Sequence, residues 1–258
     1  LIILFVGLIT GLIGFVDDIK DLGGKIKPIL CLLGGIPLLL TNSYNPHPPL
    51  PFISETRLTL IYPFLIPIGI AIFSNAINML NVINGATPLL LTPLLIMLSI
   101  IGLISNKFTL TIICLILLGS LLAFYYYNKY PAKIFMGNVG DFFIGGIIGG
   151  IAIVFNIEIV VIVGMLPYIM HGFYVLSSLK GFFEKKEVKN KPTVFDYEKE
   201  ILYPSLNKEA PVTLLRFITI IEPMKEKDIA KIFFLISVFS SILAFITYIF
   251  TTIKFTIT

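Results

Sequence analysis

Long apolar runs separated by short polar segments make up most of this chain. Eight runs carry at most one charged residue each: residues 1–16, 28–41, 60–73, 89–105, 108–127, 142–155, 157–179 and 229–252. Lipid offers the backbone no hydrogen-bond partner, and the runs lack the alternation of an outer-membrane barrel strand, so each is expected to be a helix. The pattern predicts an all-α fold, a polytopic transmembrane helical bundle of about eight spans. Residues 1–258 then form one transmembrane domain, with a charged loop region at residues 180–228.

Two of the expected spans are short. Residues 1–16 would form a helix of about 24 Å, less than the roughly 30 Å of the hydrocarbon core. We therefore expect part of the first span to be missing from a bundle of about ten spans. Residues 28–41 contain Gly34, Gly35 and Pro37, which favour a short, kinked helix.

Composition excludes a water-soluble protein. The chain is 57% hydrophobic and 13% charged, with a mean hydropathy of +0.97, which a soluble globule of this size does not carry. The net charge of +4 comes from lysines in loops rather than along a groove, so no nucleic-acid partner is expected. Cys31 and Cys114 lie in apolar runs and are expected to pack as small hydrophobic side chains.

The basic residues indicate an orientation. If each run crosses once, sixteen of the nineteen Lys and Arg residues share a face with segments 17–28, 74–85, 128–141 and 180–228. Arg57, Lys107 and Lys254 fall on the other face. Positive charge marks cytoplasmic loops, so the first face is expected to be cytoplasmic, and it carries every polar cluster described below.

The first polar cluster follows the first apolar run. Adjacent carboxylates beside a bilayer are costly unless a cation or a polar cavity compensates them. Asp17 and Asp18, followed by Lys27, therefore indicate a divalent metal and a phosphate. A solvated turn in which Gly23 and Gly24 end the helix explains the same residues.

The second and third clusters each allow two explanations. In the second cluster asparagines recur every third residue, at Asn75, Asn78, Asn81 and Asn84. Two or three of them should therefore share a helix face. They could form a polar wall for a metal or nucleotide, or they could make hydrogen bonds between helices. Residues 136–146 place glycines around Asp141 at the start of a span. Such a start can direct backbone N–H groups at a phosphate, whereas its later glycines permit close helix packing.

Three ordered motifs resemble those of the polyprenyl-phosphate sugar-1-phosphate transferases, of glycosyltransferase 4 type. They are Gly14-Phe15-Val16-Asp17-Asp18 followed by Leu22 and Lys27; Asn75-Ala76-Ile77-Asn78 followed by Asn84-Gly85; and Tyr130-Pro131-Ala132-Lys133-Ile134-Phe135-Met136-Gly137-Asn138. Asn84-Gly85 and Glu222-Pro223 look more like the dolichyl-phosphate GlcNAc-1-phosphotransferase branch than the bacterial one. The resemblance implies a single catalytic domain, in which a lipid phosphate attacks the β-phosphate of a UDP-sugar and UMP leaves.

The resemblance, together with the residues that stand where the chain departs from the family pattern, gives the following expected roles. Catalytic roles near the metal and the attacking phosphate fall to Asp17, Asp18 and Lys27, with Lys27 binding phosphate. Substrate contacts fall to Asn75, Asn84, Gly137, Lys133, Lys189 and Lys191, with Asn84 reading uridine. Metal ligands are Asn78, Asn138 and Asp141, for Mg²⁺ or alternatively Mn²⁺.

The chain departs from the family pattern in two places. Many members carry Asp where this chain has Asn138, and an amide oxygen brings no charge to magnesium. Asp141, one helical turn on, would restore the carboxylate, unless it only caps the following helix. The loop after Leu179 lacks the family's His and Arg sugar-reading motif; it contains lysines that either hold the diphosphate or belong to the positive-inside run, namely Lys185, Lys186, Lys189 and Lys191.

We therefore expect Mg²⁺-dependent transfer of a sugar 1-phosphate, foremost GlcNAc-1-phosphate, from a UDP-N-acetylhexosamine to polyprenyl or dolichyl phosphate in the bilayer. This would be the first step of lipid-linked glycan assembly, for N-glycosylation or a cell wall, in an archaeal cell membrane or a eukaryotic endoplasmic reticulum membrane. A homodimer is one of the assemblies that the sequence allows. One alternative is a catalytically silent homologue with a binding or regulatory role. The other is an ion-coupled secondary transporter, which should place acids at mid-membrane depth and show repeated halves.

Overall fold

The computed structural model describes residues 1–52, 56–181 and 188–253. Its helices are α1 (Ile2–Lys20), α2 (Ile26–Cys31), α3 (Ile36–Leu40), α4 (Tyr62–Leu80), α5 (Ala86–Ile104), α6 (Phe108–Asn128), α7 (Gly137–Val154), α8 (Glu158–Gly164), α9 (Leu166–Leu179), α10 (Leu214–Ile221) and α11 (Glu226–Thr252). A 3₁₀ turn, Leu32–Gly35, joins α2 to α3. The strands are β1 (Thr193–Asp196), β2 (Ile201–Pro204) and β3 (Met224–Lys225).

The polytopic helical bundle is confirmed, but it has fewer full spans than the expected eight. Within the described residues, six helices are long and apolar enough to cross a membrane, namely α1, α4, α5, α6, α7 and α11. Helices α8 and α9 make a seventh span only if both belong to it, because they meet at an angle of 71°. The segment expected at residues 28–41 is broken by the 3₁₀ turn and, at about 22 Å, is shorter than a full span.

The break in this short segment has a packing reason. Gly35 lies so close to α4 that a Cβ atom there would stand 2.6 Å from the Cα of Pro67. Pro37, in the first turn of α3, has no N–H to bond to the preceding turn. The chain therefore passes α4 as two short helices joined by a turn.

Helices α7 and α5 form the centre of the bundle. In the apolar stretch of each of these two helices 67% of the residues are buried, compared with 28% in α6 and in α11. Helix α7 packs between α1 and α4, while α5 packs against α6 and α11. The less buried helices α6 and α11 therefore offer most of their side chains to lipid.

Small residues let the backbones of α1 and α7 approach closely, as the glycine-packing hypothesis expected. Gly14 faces the carbonyl group of Asn138, and Gly146 faces Thr10 and Gly7. On the other side of α7, Gly145 lies against the backbone of Ser74 in α4. This packing brings the first turn of α7 beside the last turn of α1.

Residues 180–228 are more ordered than the expected loop. A small antiparallel sheet has the strand order β1-β2-β3, with Thr193 opposite Pro204 and Leu202 opposite Met224. The apolar stretch at residues 211–221 contains α10, whose first turn is capped because the Thr213 hydroxyl accepts the Arg216 N–H at 3.0 Å. The sheet is the one departure from an all-α chain among the described residues.

Contacts divide the bundle into two ends. At one end Tyr62 donates a hydrogen bond to Glu158, and the ammonium of Lys107 donates to the Phe155 carbonyl at 2.8 Å. Burial lowers the pKa of Lys107, and the nearby negative charge of Glu158 opposes this shift. We call the end with Tyr62, Lys107 and Glu158 the opposite end. The other end of the bundle, where the last turn of α1 carries Asp17 and Asp18, is called the carboxylate end. Lys254 lies outside the described residues.

Gly14 provides a test of the α1–α7 contact. Gly14→Ala should destabilise the protein by about 1–3 kcal/mol, because the new methyl group would collide with the Asn138 carbonyl group and with Val139 Cα, 2.7 Å from the added Cβ. Thermal unfolding in detergent measures the loss. Gly69→Ala in α4 is the matched control, since a Cβ there meets no atom within 4 Å. Equal unfolding midpoints for the two variants would contradict the close contact.

Candidate active site

A cavity of about 340 Å³ opens where the ends of α4, α6, α7 and α11 meet at the carboxylate end. Its polar lining consists of amides and two carboxylates: Asn78, Asn81, Asn84, Asn128, Asn138, Asp141 and Glu226. Val82, Ile83, Phe135, Met136 and Gly137 complete the wall. No Lys or Arg of the described chain lines this cavity, so the charge on its wall is negative.

Asp17 is buried beside this cavity and contacts three donors of the protein. Its carboxylate is 2.8 Å from the Lys27 ammonium and accepts the Leu22 N–H at 2.8 Å and the Asn138 side-chain N–H at 2.6 Å. Asp17 is 2% exposed and Lys27 8%. The turn through Gly23 and Gly24 thus folds back so that Lys27 compensates Asp17, which a turn open to water would not require.

Asp141 is the second buried carboxylate, with 2% of its surface exposed. Both its oxygens accept from the side chain of Asn81, at 3.0 and 3.1 Å. Asn78 and Thr87 donate to it at 3.4 and 3.2 Å. Four polar contacts from α4, α5 and the turn between them therefore hold Asp141 at the cavity.

Asn138 joins the two buried carboxylates. Its amide nitrogen donates to Asp17, and its amide oxygen accepts from the side chain of Asn78. Because Asn78 also donates to Asp141, a continuous series of side chains connects α2 to α4 through α1 and α7. We call this series the carboxylate network: Lys27, Asp17, Asn138, Asn78, Asp141 and Asn81.

At the start of α7 the backbone N–H groups bind the carboxylate of Asp18 and not that of Asp141. The N–H groups of Asn138 and Val139 donate to Asp18 at 3.0 and 3.1 Å. A carboxylate of this chain thus occupies the helix start that was expected to face a phosphate. Asp141, in contrast, is the fifth residue of α7 and does not cap it. Gly137, with φ +68°, leaves the room that Asp18 needs.

Four further residues belong to this site that were not among the individual site residues predicted from the sequence. Asn128 accepts the Gly85 N–H at 3.1 Å and donates to the Ile134 carbonyl at 2.8 Å. Glu226 accepts the Asn84 N–H at 2.6 Å. The others are Asn81 and Thr87. Asn81 was visible in the asparagine series, but nothing local in the sequence marks Thr87, Asn128 or Glu226.

Several candidate residues do not reach the cavity. Asn75 donates to the Ala71 carbonyl of its own helix at 2.8 Å, so the asparagine series does not act as one wall. Lys133, Lys189 and Lys191 are exposed and do not line the cavity. Lys27 is paired with Asp17 and does not line the cavity, so its expected role as a phosphate ligand stays a prediction. Lys185 and Lys186 lie outside the described residues.

The donor set at the cavity fits a hard divalent cation. Asp141 offers carboxylate oxygens and the neighbouring asparagines offer amide oxygens, the ligands that magnesium takes alongside water and phosphate. The described residues contain no group of three His, Cys, Asp or Glu side chains that could hold a metal by themselves. A metal here would share its coordination with amides, water and a ligand's phosphates.

The sequence is similar to that of known proteins over most of its length. A model of the glycosyl transferase family 4 matches residues 1–156, which contain all three motifs. The chain is similar to the phospho-N-acetylmuramoyl-pentapeptide-transferase of Enterococcus hirae, with 34% identity over 191 residues, 70% of this chain and 60% of the relative. It is 30% identical over 233 residues to a Methanocaldococcus jannaschii protein named as a glycosyltransferase, 90% of this chain and 72% of the relative.

A third relative carries a more specific name. The Sulfolobus acidocaldarius protein named UDP-N-acetylglucosamine–dolichyl-phosphate N-acetylglucosaminephosphotransferase is 33% identical over 183 residues, 70% of this chain and 55% of the relative. The chain therefore spans less than two thirds of two of these three relatives.

The buried ion pair supplies a test of the carboxylate network. Lys27→Met should lower stability by about 3–5 kcal/mol, because it leaves the buried Asp17 carboxylate without its cation. The exposed Lys25→Met is the matched control, and thermal unfolding in detergent is the measurement. Asp17→Asn combined with Lys27→Met should recover part of the loss. If the two lysine variants unfold at the same temperature, the ion pair does not hold this end of the bundle together.

Proposed function

The chain belongs to the glycosyl transferase family 4, and we propose that it transfers a sugar 1-phosphate from a UDP-sugar to a polyprenyl phosphate. One observation carries the proposal. The three motifs are far apart in the sequence, yet Asp17, Asn78 and Asn138 are joined by hydrogen bonds beside one polar cavity. A transferase of this kind needs such a cavity at a membrane surface, where a soluble nucleotide sugar meets a lipid phosphate.

The reaction balances without an external base. An oxygen of the acceptor phosphate forms a bond to the β-phosphorus of the UDP-sugar. The bond from that phosphorus to the bridging oxygen breaks, and UMP leaves with the oxygen. A phosphate monoester is largely dianionic near neutrality, with a second pKa of about 6, so position and charge neutralisation limit the rate more than proton removal does.

Asp17 and Lys27 contribute position rather than proton transfer. Asp17 accepts from three groups of the protein, and through one of these bonds it fixes Asn138 at the cavity wall. Asp18 fixes the start of α7, so that Gly137 and Asn138 line the cavity. Asp141, Asn78 and Asn81 line the same cavity and present further polar atoms to the substrate.

Electrostatics supports magnesium as the cofactor. The charged residues on the cavity wall are the carboxylates Asp141 and Glu226, which would repel a diphosphate. Asp141, Asn78 and Asn138 would hold Mg²⁺ together with the substrate phosphates, whereas Mn²⁺ is the alternative hard cation. When bound, the ion supplies the positive charge that the cavity wall lacks.

The relatives support a finer assignment of substrates. The name of the Sulfolobus acidocaldarius relative supports UDP-GlcNAc as donor and dolichyl phosphate as acceptor, whereas that of the Enterococcus hirae relative supports a muramoyl-pentapeptide donor. We favour UDP-GlcNAc, in the first step of lipid-linked glycan assembly. This agrees with the Asn84-Gly85 and Glu222-Pro223 resemblance.

The two alternative functions have less support. A transporter needs acids at mid-membrane depth, but Asp17 and Asp18 lie in the last turn of α1 and Asp141 in the second turn of α7. A silent homologue was suggested by the amide at Asn138. The carboxylate of Asp141 at the same cavity weakens that argument.

A transfer assay tests the proposed function. Purified protein is incubated with Mg²⁺, polyprenyl phosphate and UDP-GlcNAc carrying radiolabel in the sugar, and the lipids are then extracted. We expect label in a lipid diphosphate and an equal amount of UMP. The proposal would be refuted if folded protein transferred no label to lipid from either UDP-GlcNAc or UDP-GalNAc.

Sealed vesicles of known orientation extend the same assay to topology. We propose that the carboxylate end faces the cytoplasm, because most of the described lysines lie there and positive loops stay inside. External UDP-GlcNAc, which does not cross the membrane, should then be used by inside-out vesicles. If only right-side-out vesicles used external UDP-GlcNAc, the carboxylate end would face away from the cytoplasm, contrary to the proposal.

Asp141 supplies a sharper test of the metal site. Asp141→Asn should raise the Mg²⁺ concentration for half-maximal transfer about tenfold or more and lower turnover, because the cavity loses a hard anionic ligand. Adding Asn138→Asp should recover turnover at high Mg²⁺, since the restored carboxylate lies against Asp17 and needs a cation between them. Asp228→Asn, an exposed carboxylate in α11, is the control. An unchanged Mg²⁺ dependence in Asp141→Asn would remove Asp141 from the metal site.

A further inference from the structure

The turn between α4 and α5 contains N–H groups that its own backbone does not satisfy, among them those of Asn84 and Gly85. Helix α4 ends at Leu80 and α5 begins at Ala86. In this turn the Val82 N–H donates to the Leu80 carbonyl and the Ala86 N–H to the Ile83 carbonyl. The N–H groups of Asn84 and Gly85 donate to no backbone carbonyl in the described part of the chain. Buried N–H groups need acceptors, so other elements must supply them.

Two side chains from distant helices supply these acceptors. Asn128, the last residue of α6, accepts the Gly85 N–H at 3.1 Å and is itself 5% exposed. Glu226, the first residue of α11, accepts the Asn84 N–H at 2.6 Å. A charged acceptor makes the second bond the stronger of the two. The conformation of the turn therefore depends on where α11 begins.

The position of Glu226 is set by the small sheet. Strand β3 ends one residue before it, and Lys225 in β3 is paired with Ile201 in β2. Glu226 also forms part of the wall between the main cavity and a second cavity of about 70 Å³. The segment of residues 193–225 thus influences the main cavity by positioning the Glu226 carboxylate. Glu226 lies outside the stretch that the family model matches.

We infer that Glu226 is a positioning residue that holds the Asn84–Gly85 turn so that the Asn84 amide can recognise the nucleoside of the UDP-sugar. The inference rests on the proposed function, since it concerns the same cavity. An amide offers a donor and an acceptor side by side, which matches the imide edge of uracil. With Mg²⁺ and the diphosphate at Asp141, as proposed above, the uncharged nucleoside is left for the Asn84 end of the cavity, where no cation would offset the repulsion between Glu226 and a phosphate.

Nucleotide binding and transfer kinetics of Glu226 variants test this role. Glu226→Ala should raise the KM for UDP-GlcNAc and the Kd of UMP, measured by equilibrium dialysis, about tenfold or more, with kcat within about threefold. Glu226→Gln keeps an acceptor oxygen at the same reach and should stay within about threefold of wild type on all three. Glu226→Asp keeps the charge but withdraws the acceptor by one methylene, so it should behave like the alanine variant.

Asp228→Ala is the matched control. Asp228 lies in the same first turn of α11, so its removal costs the helix start the same charge, but it pairs with Lys231 and does not line the cavity. It should leave KM, kcat and the Kd of UMP unchanged. An increase in KM as large as that of Glu226→Ala would assign the effect to helix charge and overturn the inference.

A double-mutant cycle with Asn84 separates positioning from direct contact. If Glu226 acts through Asn84, then Glu226→Ala should change the Kd of UMP by less than about threefold in an Asn84→Ala background. A full additional loss would mean that Glu226 contacts the nucleotide itself, which would overturn the positioning role. Unfolding midpoints of all variants are compared first, and Glu226→Gln and Glu226→Asp decide the question if the alanine variant does not fold.

Failure of the inference and failure of the proposed function give different results. The inference alone would be refuted if the wild-type protein binds UMP and transfers sugar phosphate and the Glu226→Ala variant has the same KM and the same Kd of UMP. Wild-type protein that neither binds UMP nor transfers would refute both.

Discussion

The need to compensate two buried carboxylates shapes the carboxylate end of this bundle. Asp17 and Asp141 are each 2% exposed, and an isolated carboxylate at such a depth would be costly. Their donors come from other elements: Lys27 from α2, Asn78 from α4 and Asn138 from α7. The helix ends can therefore neither separate nor slide along one another without leaving a charge unpaired.

Close backbone packing makes this arrangement possible. Side chains as short as Asp and Asn reach one another only if the helices carrying them approach closely, and Gly14 and Gly145 permit this on the two sides of α7. The glycines and the carboxylates therefore depend on each other. The glycines provide proximity, and the hydrogen bonds determine which turns of the helices lie side by side.

The cavity wall combines residues of the central helices with a residue of the C-terminal region. Asp17, Asn78 and Asn138 lie within the segment that the family model matches, and they are held by helices at the centre of the bundle. Glu226 comes from a helix that follows a small sheet and holds a turn with little backbone bonding of its own. Under the proposed function, the central helices would hold the reacting phosphates, and the nucleotide contacts would depend on a peripheral element.

The sequence by itself determined the membrane-spanning helical class, the two ends of the bundle and the region of the site. Hydrophobic run length fixes where helices cross, and the rule that polar residues avoid lipid places Asp17, Asn78 and Asp141 at helix ends. These properties are local, so a sequence pattern contains them. The same reasoning overcounted the spans, because the bend between α8 and α9 and the broken segment at residues 26–40 result from packing against neighbouring helices.

Only the tertiary structure decided which polar groups are partners. Asp17 takes its cation from Lys27 and its amide from Asn138, 121 residues away, and Asp18 rather than a phosphate occupies the start of α7. Glu226 and Asn84 are 142 residues apart and meet because a strand pairing places the start of α11. Hydrogen bonds of this kind depend on distances of about 3 Å between elements whose relative positions are set by the packing of the whole bundle, which spacing along one chain does not encode.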